Sequence, residues 1–428
     1  MNVALYIAKR LSWGKGKSFV KTIIRMAIAG ISISVAVMII SSSVIRGFSN
    51  EISNKIFSFW GTMHITDTQI NTSHDPIPIR TDPEMVSAIE EIDIIEYQES
   101  DSTTGGDYNM RETKGGVKHI QSFALESGII KSKKFLEGIV LKGVADDFDW
   151  SAMDEFLIEG RQINLSDSLA AKEIIVSSIT ADRLELEIND KLIIQFIKDR
   201  QIKKAFKVVG IYNSGLEEYD RRIALVDMRK IQEINSWAPN QIGGYEVQVE
   251  HIDDLDILTQ YIYESILPDR VTARTIKEKF PSIFEWLELQ KMNEWVILAL
   301  MIVVCVITMI TSLLILILER TKMIGILKSL GSDNWSIRKI FLYQGALILA
   351  YGLLIGNILG IGLCYIQEKT GIVSLDEKNY YLSEAPVELY LPSILLINVA
   401  SFVIVMLCLI IPTIVISSIS PVKVLRFQ

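Results

Sequence analysis

Four long runs of the chain are predominantly apolar and contain no Asp, Glu, Lys or Arg. They occupy residues 26–45, 295–318, 340–366 and 391–416. A helix that crosses about 30 Å of hydrocarbon needs about 20 such residues. Helices buried in a soluble core rarely show four charge-free runs of this length, so the pattern predicts four transmembrane helices. We expect the first run to be an uncleaved anchor, because it is longer than the apolar region of a signal peptide.

The segment between the first two runs, residues 46–294, mixes strand-like and helix-like patterns. Val- and Ile-rich runs lie at residues 138–144, 191–197, 205–212, 222–227 and 244–250, and helical patterns at residues 83–92, 179–186, 228–235, 254–266 and 276–290. Because these elements alternate without a strict βαβ rhythm, we predict one large α+β domain. The glycine-containing residues 100–118 are interpreted as a hairpin or a mobile loop.

Charge separates by segment and predicts the orientation. Residues 1–25, the loop 319–339 and the tail 417–428 together carry 13 basic and two acidic residues, whereas residues 46–294 carry a net charge of −16 and the loop 367–390 carries −3. Basic residues favour the cytoplasmic side of a membrane protein. We therefore predict that both termini and the loop 319–339 are cytoplasmic, and that residues 46–294 and 367–390 lie outside.

Composition agrees with a membrane protein that carries a soluble domain, and it limits the chemistry. The mean hydropathy is +0.31, yet charged residues make up 22% of the chain. All three cysteines lie in apolar runs, and the four histidines show no paired spacing, so we predict neither a disulfide framework nor a metal site. Asp146, Asp147 and Asp149 are interpreted as a solvated loop. Nothing in the charge pattern points to nucleic acid, whereas the basic segments suit anionic membrane lipids.

One motif fragment suggests nucleotide binding but is incomplete. Gly16, Lys17 and Ser18 match the end of a P-loop, but the first glycine of that motif would stand at Leu11. We therefore expect no cofactor in this chain. If its work requires ATP, a second polypeptide must bind the nucleotide.

The loop after the second run contains a short amphipathic pattern. As a helix, it places Met323, Ile326, Leu327 and Leu330 on one apolar stripe, and Gly331 is positioned to end it. An apolar face in the cytoplasm needs a partner groove, or it lies in the plane of the lipid headgroups. The pattern alone leaves both alternatives open.

The same loop carries the most specific resemblance in the chain. Its string from Glu319 to Gly331, E-R-T-K-M-I-G-I-L-K-S-L-G, resembles the E-R-x-x-x-I-G-I-L-[RK]-[SA]-L-G signature of MacB-type ABC permeases, which include LolC, LolE and FtsX. The glycine-rich third run, residues 341–362, and the closing P-V-K-V-L-R resemble further family segments. Residues 210–220 and 280–291 are similar to the lipoprotein-releasing LolC/LolE branch.

The resemblance implies a coupling helix that binds the ATPase. The positions that match the signature are Glu319, Arg320, Met323, Ile324, Gly325, Ile326, Leu327, Leu330 and Gly331. It further implies a bacterial inner-membrane complex of two permeases with two ATPases, which bind ATP and Mg. The outer domain would comprise porter-like parts at about residues 46–134 and 241–294 around an inserted subdomain at about 135–240. The implied activity transfers a lipoprotein from the membrane to a soluble periplasmic carrier, with no catalytic residue in this chain.

Two further site predictions concern the spans. The candidates for the wall of a lipoprotein cavity lie along the first span and just after it. They are Val35, Met38, Ile39 and Phe48. Gly352, Gly356 and Gly360 stand at four-residue spacing, which favours close helix packing in lipid.

Several alternatives stay open. The family member that grips the carrier has a long loop where residues 197–206 form a short basic hairpin, so this chain is either a non-docking subunit or docks differently. A MacB- or FtsX-like permease that transmits force to another amphiphile or envelope process is an alternative function, and a membrane-anchored sensor is another. The sensor does not account for the signature. The partner permease is either identical or homologous.

Overall fold

The computed structural model describes residues 18–71, 77–100, 108–131, 136–166, 172–198, 201–376 and 382–418. These residues form two compact units. The helical unit comprises the described parts of Met1–Glu51, Glu285–Leu375 and Glu384–Gln428, and the sheet unit comprises those of Ile52–Phe284 and Asp376–Ser383. The incomplete P-loop at residues 16 and 17, most of the basic N-terminal segment and the closing P-V-K-V-L-R lie outside the described residues.

The helices in chain order are α1 (Ser18–Trp60), α2 (Pro83–Glu90), α3 (Trp150–Asp154), α4 (Ser178–Leu184), α5 (Glu217–Asp220), α6 (Met228–Asn235), α7 (Leu255–Ser265), α8 (Ile276–Lys279), α9 (Pro281–Glu319), α10 (Thr321–Ser329), α11 (Asn334–Thr370), α12 (Leu391–Cys408), α13 (Ile410–Thr413) and α14 (Val415–Ser418). Within the described residues, four stretches are long and apolar enough to cross a membrane: Phe19–Trp60, Pro281–Glu319, Asn334–Thr370 and Leu391–Ser417. Each contains one of the predicted charge-free runs.

The predicted helix over residues 276–290 is wrong, because the structure divides it. Helix α8 ends at Lys279, and α9 begins at Pro281. Phe280 between them has φ −122° and ψ 55°, outside the helical region. Proline lacks a backbone N–H and excludes the α conformation from the residue before it, so it starts a helix but does not continue one.

The strands in chain order are β1 (Met63–Asp67), β2 (Ile79–Arg80), β3 (Glu96–Ser100), β4 (Tyr108–Glu112), β5 (Val117–Lys131), β6 (Leu136–Val144), β7 (Leu157–Gly160), β8 (Glu173–Ser177), β9 (Lys191–Ile197), β10 (Gln201–Tyr212), β11 (Ile223–Asp227), β12 (Gln241–Ile242), β13 (Gly244–Val249) and β14 (Val271–Thr275). Strands β3 and β4 pair as an antiparallel hairpin. Its connection at residues 101–107 lies outside the described part of the chain.

The main sheet of the described residues follows the order β14-β1-β13-β5-β6-β11-β8-β10-β7, and β9 pairs with both β10 and β5. The pairings among β5, β6, β11, β8, β10 and β9 therefore close into a ring. The first half of β5 pairs with β13 and its second half with β6, so this long strand belongs both to the ring and to the β14-β1-β13 group. Alternate residues of the ring strands, such as Leu141, Ile194 and Phe196, are fully buried in one apolar core.

Candidate functional site

Helix α10 occupies the segment that carries the family signature, and it ends in a Schellman motif. Gly331 has a φ of +88°. Its N–H donates to Lys328 O at 3.1 Å, and Ser332 N–H donates to Leu327 O at 3.0 Å. These bonds satisfy carbonyls that a helix end leaves open, and glycine reaches the left-handed conformation without a steric penalty. The predicted helix end at Gly331 is confirmed.

One side of α10 packs into the apolar core of the helical unit. Ile324 is fully buried, Gly325 is also buried, and Met323 and Leu327 are half-buried against the same core. The prediction that Met323 and Leu327 share one exposed stripe with Ile326 and Leu330 is therefore wrong. Ile324, which is not part of the predicted stripe, is buried in the core. Met323 and Leu327 lie on the same side of α10 and pack against that core.

The opposite side of α10 remains exposed and partly apolar. Ile326 is 50% exposed and Leu330 is 77% exposed. The exposed Glu319 and Lys322 border them, and Arg320 is half-buried. We use the name "α10 face" for Glu319, Lys322, Ile326 and Leu330. Apolar side chains this exposed in a short loop between two candidate spans are typical of a contact with another surface.

The other end of the chain holds α10 in place. Lys328 Nζ donates to Ile416 O at 2.7 Å, and Arg338 Nη2 donates to Ser417 Oγ at 3.0 Å. Cations are favourable at a helix C-terminus, where carbonyls lack partners. Burial, and then the nearby positive charge of Arg338, lower the pKa of Lys328. Lys328 therefore anchors α10 to the last candidate span.

The glycines of α11 lie against α1. A Cβ added at Gly352 would stand 2.6 Å from Ile31 Cγ2, and one added at Gly356 would stand 2.7 Å from Val35 Cβ. Gly360 faces Ile39, with 3.1 Å between the added Cβ and Ile39 Cβ. Only the absence of side chains permits this approach of two helix backbones.

The residues predicted to line a lipoprotein cavity occupy a different position in the structure. Val35, Met38 and Ile39 are fully buried in the helical unit, and Phe48 is half-buried with its ring centroid 5.3 Å from that of Trp286. Val35 and Ile39 are the side chains that the α11 glycines accommodate. Within one chain these residues therefore stabilise helix packing and present no open wall.

An exposed apolar stripe runs instead along the middle of α9, from Leu289 to Ile307. Its side chains are all more than half exposed: Leu289, Met292, Val296, Leu300, Val303 and Ile307. Their spacing of three and four residues places them on one helix face. Leu289 and Met292 precede the charge-free run at residues 295–318, so the stripe begins before the predicted span. We use the name "α9 stripe" for this set.

A buried cation lies at the C-terminal end of α1 inside the sheet unit. Lys142 Nζ donates to Phe59 O at 2.5 Å and to Glu246 Oε2 at 2.9 Å. Gln121 Nε2 donates to the same carboxylate oxygen at 2.8 Å. Lys142 is fully buried, and burial lowers its pKa. A lone lysine within the apolar strand G-I-V-L-K-G-V is the sequence signal that could have identified it.

His64 and Lys279 complete this cluster. His64 Nε2 lies 2.6 Å from Trp60 O, and Nδ1 lies 2.7 Å from Lys279 Nζ. Because a carbonyl only accepts, Nε2 carries the proton and Nδ1 accepts from the ammonium group. Burial, and then the charge of Lys279, hold the pKa of His64 well below 6.5, whereas burial lowers the pKa of Lys279 from 10.5 to about 8. The cluster ties the last turn of α1 to β1, β6 and α8.

The segment 210–220, which resembles the LolC/LolE branch, forms a closed turn. Asp220 accepts from Ser214 N at 3.0 Å and from Ser214 Oγ at 2.6 Å, and Gly215 has a φ of +77°. Tyr212 Oη donates to Ile223 O at 3.1 Å. Burial raises the pKa of Asp220 from 3.8 to about 6. This motif therefore stabilises the turn between β10 and β11.

The acidic loop also has local structural roles. Asp147 Oδ2 accepts from Ser122 N at 2.7 Å, and Asp149 caps α3 through Ser151 N at 3.0 Å. Within the described residues, no group of three or more His, Cys, Asp or Glu side chains is arranged to hold a metal ion.

Comparisons with known proteins cover nearly the whole chain. Residues 26–262 match the family model of the MacB-like periplasmic core domain, and residues 295–421 match that of the FtsX-like permease C-terminal region. The chain is 21% identical to the lipoprotein-releasing system transmembrane protein LolC of Neisseria meningitidis serogroup B, over 97% of this chain and 96% of that protein. It is 22% identical to LolE of Haemophilus influenzae, over 99% of each.

Among solved structures, the chain is similar to the periplasmic region of MacB from Actinobacillus actinomycetemcomitans. The identity is 12% and the TM-score 0.33, over 53% of this chain and 95% of that structure. A score this low does not establish a common fold. The family match at residues 26–262 alone covers more than half of the chain. The chain therefore belongs to the MacB-type ABC transporter permease family.

Proposed function

We propose that this chain is the permease subunit that extracts lipoproteins from the inner membrane and passes them to a soluble periplasmic carrier. A partner ATPase binds ATP and Mg and supplies the energy, and a second permease, identical or homologous, completes the complex. The observation that carries the proposal is the α10 face, with Ile326 and Leu330 exposed in the segment that bears the family signature. The nearly full-length likeness to LolC and LolE supports the substrate class.

Extraction of a lipoprotein from the bilayer requires both an energy source and an apolar surface that receives the acyl chains. Each buried CH₂ contributes about 0.8 kcal/mol, so two or three long acyl chains resist leaving the bilayer by tens of kcal/mol. The α9 stripe supplies apolar side chains that begin before the predicted span and continue along it. We assign the acyl chains of the lipoprotein to this stripe in place of the packed Val35, Met38 and Ile39. Met292 suits such a role, because its flexible thioether adapts to varied chains.

The proposed contact between the α10 face and the ATPase is tested by introducing a charge on that face. We expect Ile326→Asp to abolish co-purification of the ATPase while the permease still inserts, because an unpaired charge in a desolvated contact costs several kcal/mol. Ile372→Asp is the matched control, since Ile372 is 71% exposed and follows the other end of α11. Equal loss from both variants would exclude the α10 face as the docking surface.

The substrate is tested separately by depletion. Cells depleted of this permease should accumulate lipid-modified proteins in the inner membrane, and Ile326→Asp should fail to rescue them whereas Ile372→Asp rescues. Mass spectrometry of the fractionated membranes measures the accumulation. ATPase binding without any lipoprotein accumulation would instead favour the FtsX-like or MacB-like alternative.

A further inference from the structure

A cleft of about 360 Å³ lies between α1 and α11 within the helical unit. Its walls are mainly aliphatic and include Ile28, Leu347 and Ile355, whereas Lys21 and Arg25 line its α1 side. Small-molecule sites in proteins occupy about 300–1,000 Å³, so the cleft is large enough for part of a ligand. It is separate from the α9 stripe and from the α10 face.

The packing of the two helices shows how deep the cleft runs. Ile31, Val35 and Ile39 face Gly352, Gly356 and Gly360 in the same order, so α1 and α11 run parallel. Lys21 precedes Ile31 by ten residues, and Ile355 follows Gly352 by three. At a rise of 1.5 Å per residue the cleft extends roughly 20 Å from Lys21 to Ile355. One leaflet of the hydrocarbon core is about 15 Å deep. If the cations lie among the headgroups, the other end lies among acyl chains.

The two cations are arranged for one anionic group. Lys21 and Arg25 are four residues apart, so they lie on the same face of α1, and both are exposed. Within the part of the chain that the structure describes, no ion pair joins either of them to an acidic side chain. A guanidinium binds phosphate oxygens in a bidentate manner, and an adjacent ammonium adds a point charge.

We propose that this cleft binds one anionic phospholipid, with its phosphate on Lys21 and Arg25 and an acyl chain along Ile28 and Ile355. A cationic end joined to an apolar trough about one leaflet long matches a lipid more closely than a peptide or a soluble phosphate. An anionic headgroup is preferred over a zwitterionic one, because the latter carries an ammonium that two cations repel. In the proposed orientation, the site lies in the cytoplasmic leaflet.

The test is lipid retention by the purified full-length chain. Native mass spectrometry in detergent measures how much phosphatidylglycerol and phosphatidylcholine of the same acyl length the protein retains. We expect the wild type to prefer phosphatidylglycerol, and Lys21→Gln/Arg25→Gln to lose that preference by about 30-fold, the ratio that about 1 kcal/mol per cation gives. The control Lys322→Gln/Lys339→Gln removes the same charge outside the cleft and should keep the preference.

Two further arms separate a lipid from other occupants. Ile355→Trp fills the deep end, so it should weaken the retention of long-chain phosphatidylglycerol while short-chain phosphatidylglycerol binds as before. Inorganic phosphate should not displace the bound lipid. Unchanged preference in the Lys21/Arg25 variant, an equal loss in the control pair, or displacement by phosphate would each overturn the proposal. Thermal unfolding of every variant without added lipid verifies that the helical unit is folded.

Discussion

Buried ionisable residues in the sheet unit have structural roles. They stabilise backbone turns and helix ends. Burial lowers the pKa of Lys142, and the charge and hydrogen bond of Glu246 oppose that shift, while its ammonium also donates to Phe59 O. A buried charge without such partners would cost several kcal/mol. Asp220 is the corresponding acid, since burial raises its pKa to about 6 although Ser214 donates two hydrogen bonds to it. Burial therefore outweighs these hydrogen bonds at Asp220.

The raised pKa of Asp220 predicts a specific pH dependence. In the folded protein, the Asp220 carboxyl group keeps its proton up to about pH 6. In the unfolded chain, it keeps the proton only up to its ordinary pKa of 3.8. The resulting stability is present below pH 4 and is lost as the pH rises through 6, by about 3 kcal/mol at 1.36 kcal/mol per pH unit. In Asp220→Asn, which can still accept from Ser214 N, this loss should disappear. Relative to the wild type, the variant should therefore gain stability between pH 4 and pH 7.

Thermal unfolding of the detergent-purified chain at both pH values measures this difference. Asp146→Asn, at an exposed turn, is the control and should track the wild type. A wild type and an Asp220→Asn variant that respond to pH in parallel would contradict the assignment of the titrating group to Asp220.

At the scale of elements, the candidate spans associate through small residues and amides. The side chains of Ile31, Val35 and Ile39 on α1 pack against the glycines of α11. Ser32 Oγ donates to Gly352 O at 3.1 Å. Between α11 and α12, Asn357 Nδ2 donates to Asn398 Oδ1 at 2.6 Å, and Asn398 Nδ2 donates back at 2.9 Å. Apolar burial does not drive association within lipid, so close backbone contact and such hydrogen bonds supply the specificity.

This packing predicts different effects for two glycines of the same helix. Gly356→Leu should destabilise the helical unit by about 1–3 kcal/mol, because even its Cβ would stand 2.7 Å from Val35 Cβ. Gly362→Leu is the matched control, since an added Cβ there meets no atom within 4 Å. Thermal unfolding in detergent compares the two. Similar destabilisation by both substitutions would argue against close α1–α11 packing.

At the scale of the whole molecule, the distribution of Lys and Arg predicts which segments face the cytoplasm. The three segments assigned to the cytoplasm are basic, whereas residues 46–294 carry a net charge of −16. The overall charge of −8 conceals this asymmetry because it averages the two sides. The proposed coupling mechanism depends on the orientation, since α10 must meet a cytoplasmic ATPase.

The orientation predicts which introduced thiols an impermeant reagent reaches. In a background without Cys305, Cys364 and Cys408, Asp269→Cys should be labelled in cells stripped of their outer membrane. Asn334→Cys, in the loop 319–339 but outside the α10 face, should be labelled only after the inner membrane is permeabilised. Both positions are exposed in the structure, so accessibility within the chain does not limit the reaction. Labelling of position 334 in intact inner membranes would exclude the coupling proposal.

Local patterns determined much of the membrane part. Charge-free runs predicted where the long apolar helices lie, because length and hydropathy are local properties. Gly331 likewise predicted the end of α10, since a left-handed residue after a helix is a local requirement. Within residues 46–294, the run at residues 191–197 coincides with β9 and that at residues 228–235 with α6.

Only the tertiary structure decided which side chains are buried together. Most of β5, at residues 119–131, is not predicted, and neither are β1, β8 and β14. Five-residue strands such as these three gain their stability from neighbours distant in the chain. Which side of α10 is buried and which is exposed likewise depends on the packing of Ile324 into a core formed by other helices. Lys142 is buried for the same reason, since sheet pairing brings its partner Glu246 to it. Periodicity reports which face of an element is apolar, whereas the packing of remote elements determines what covers that face.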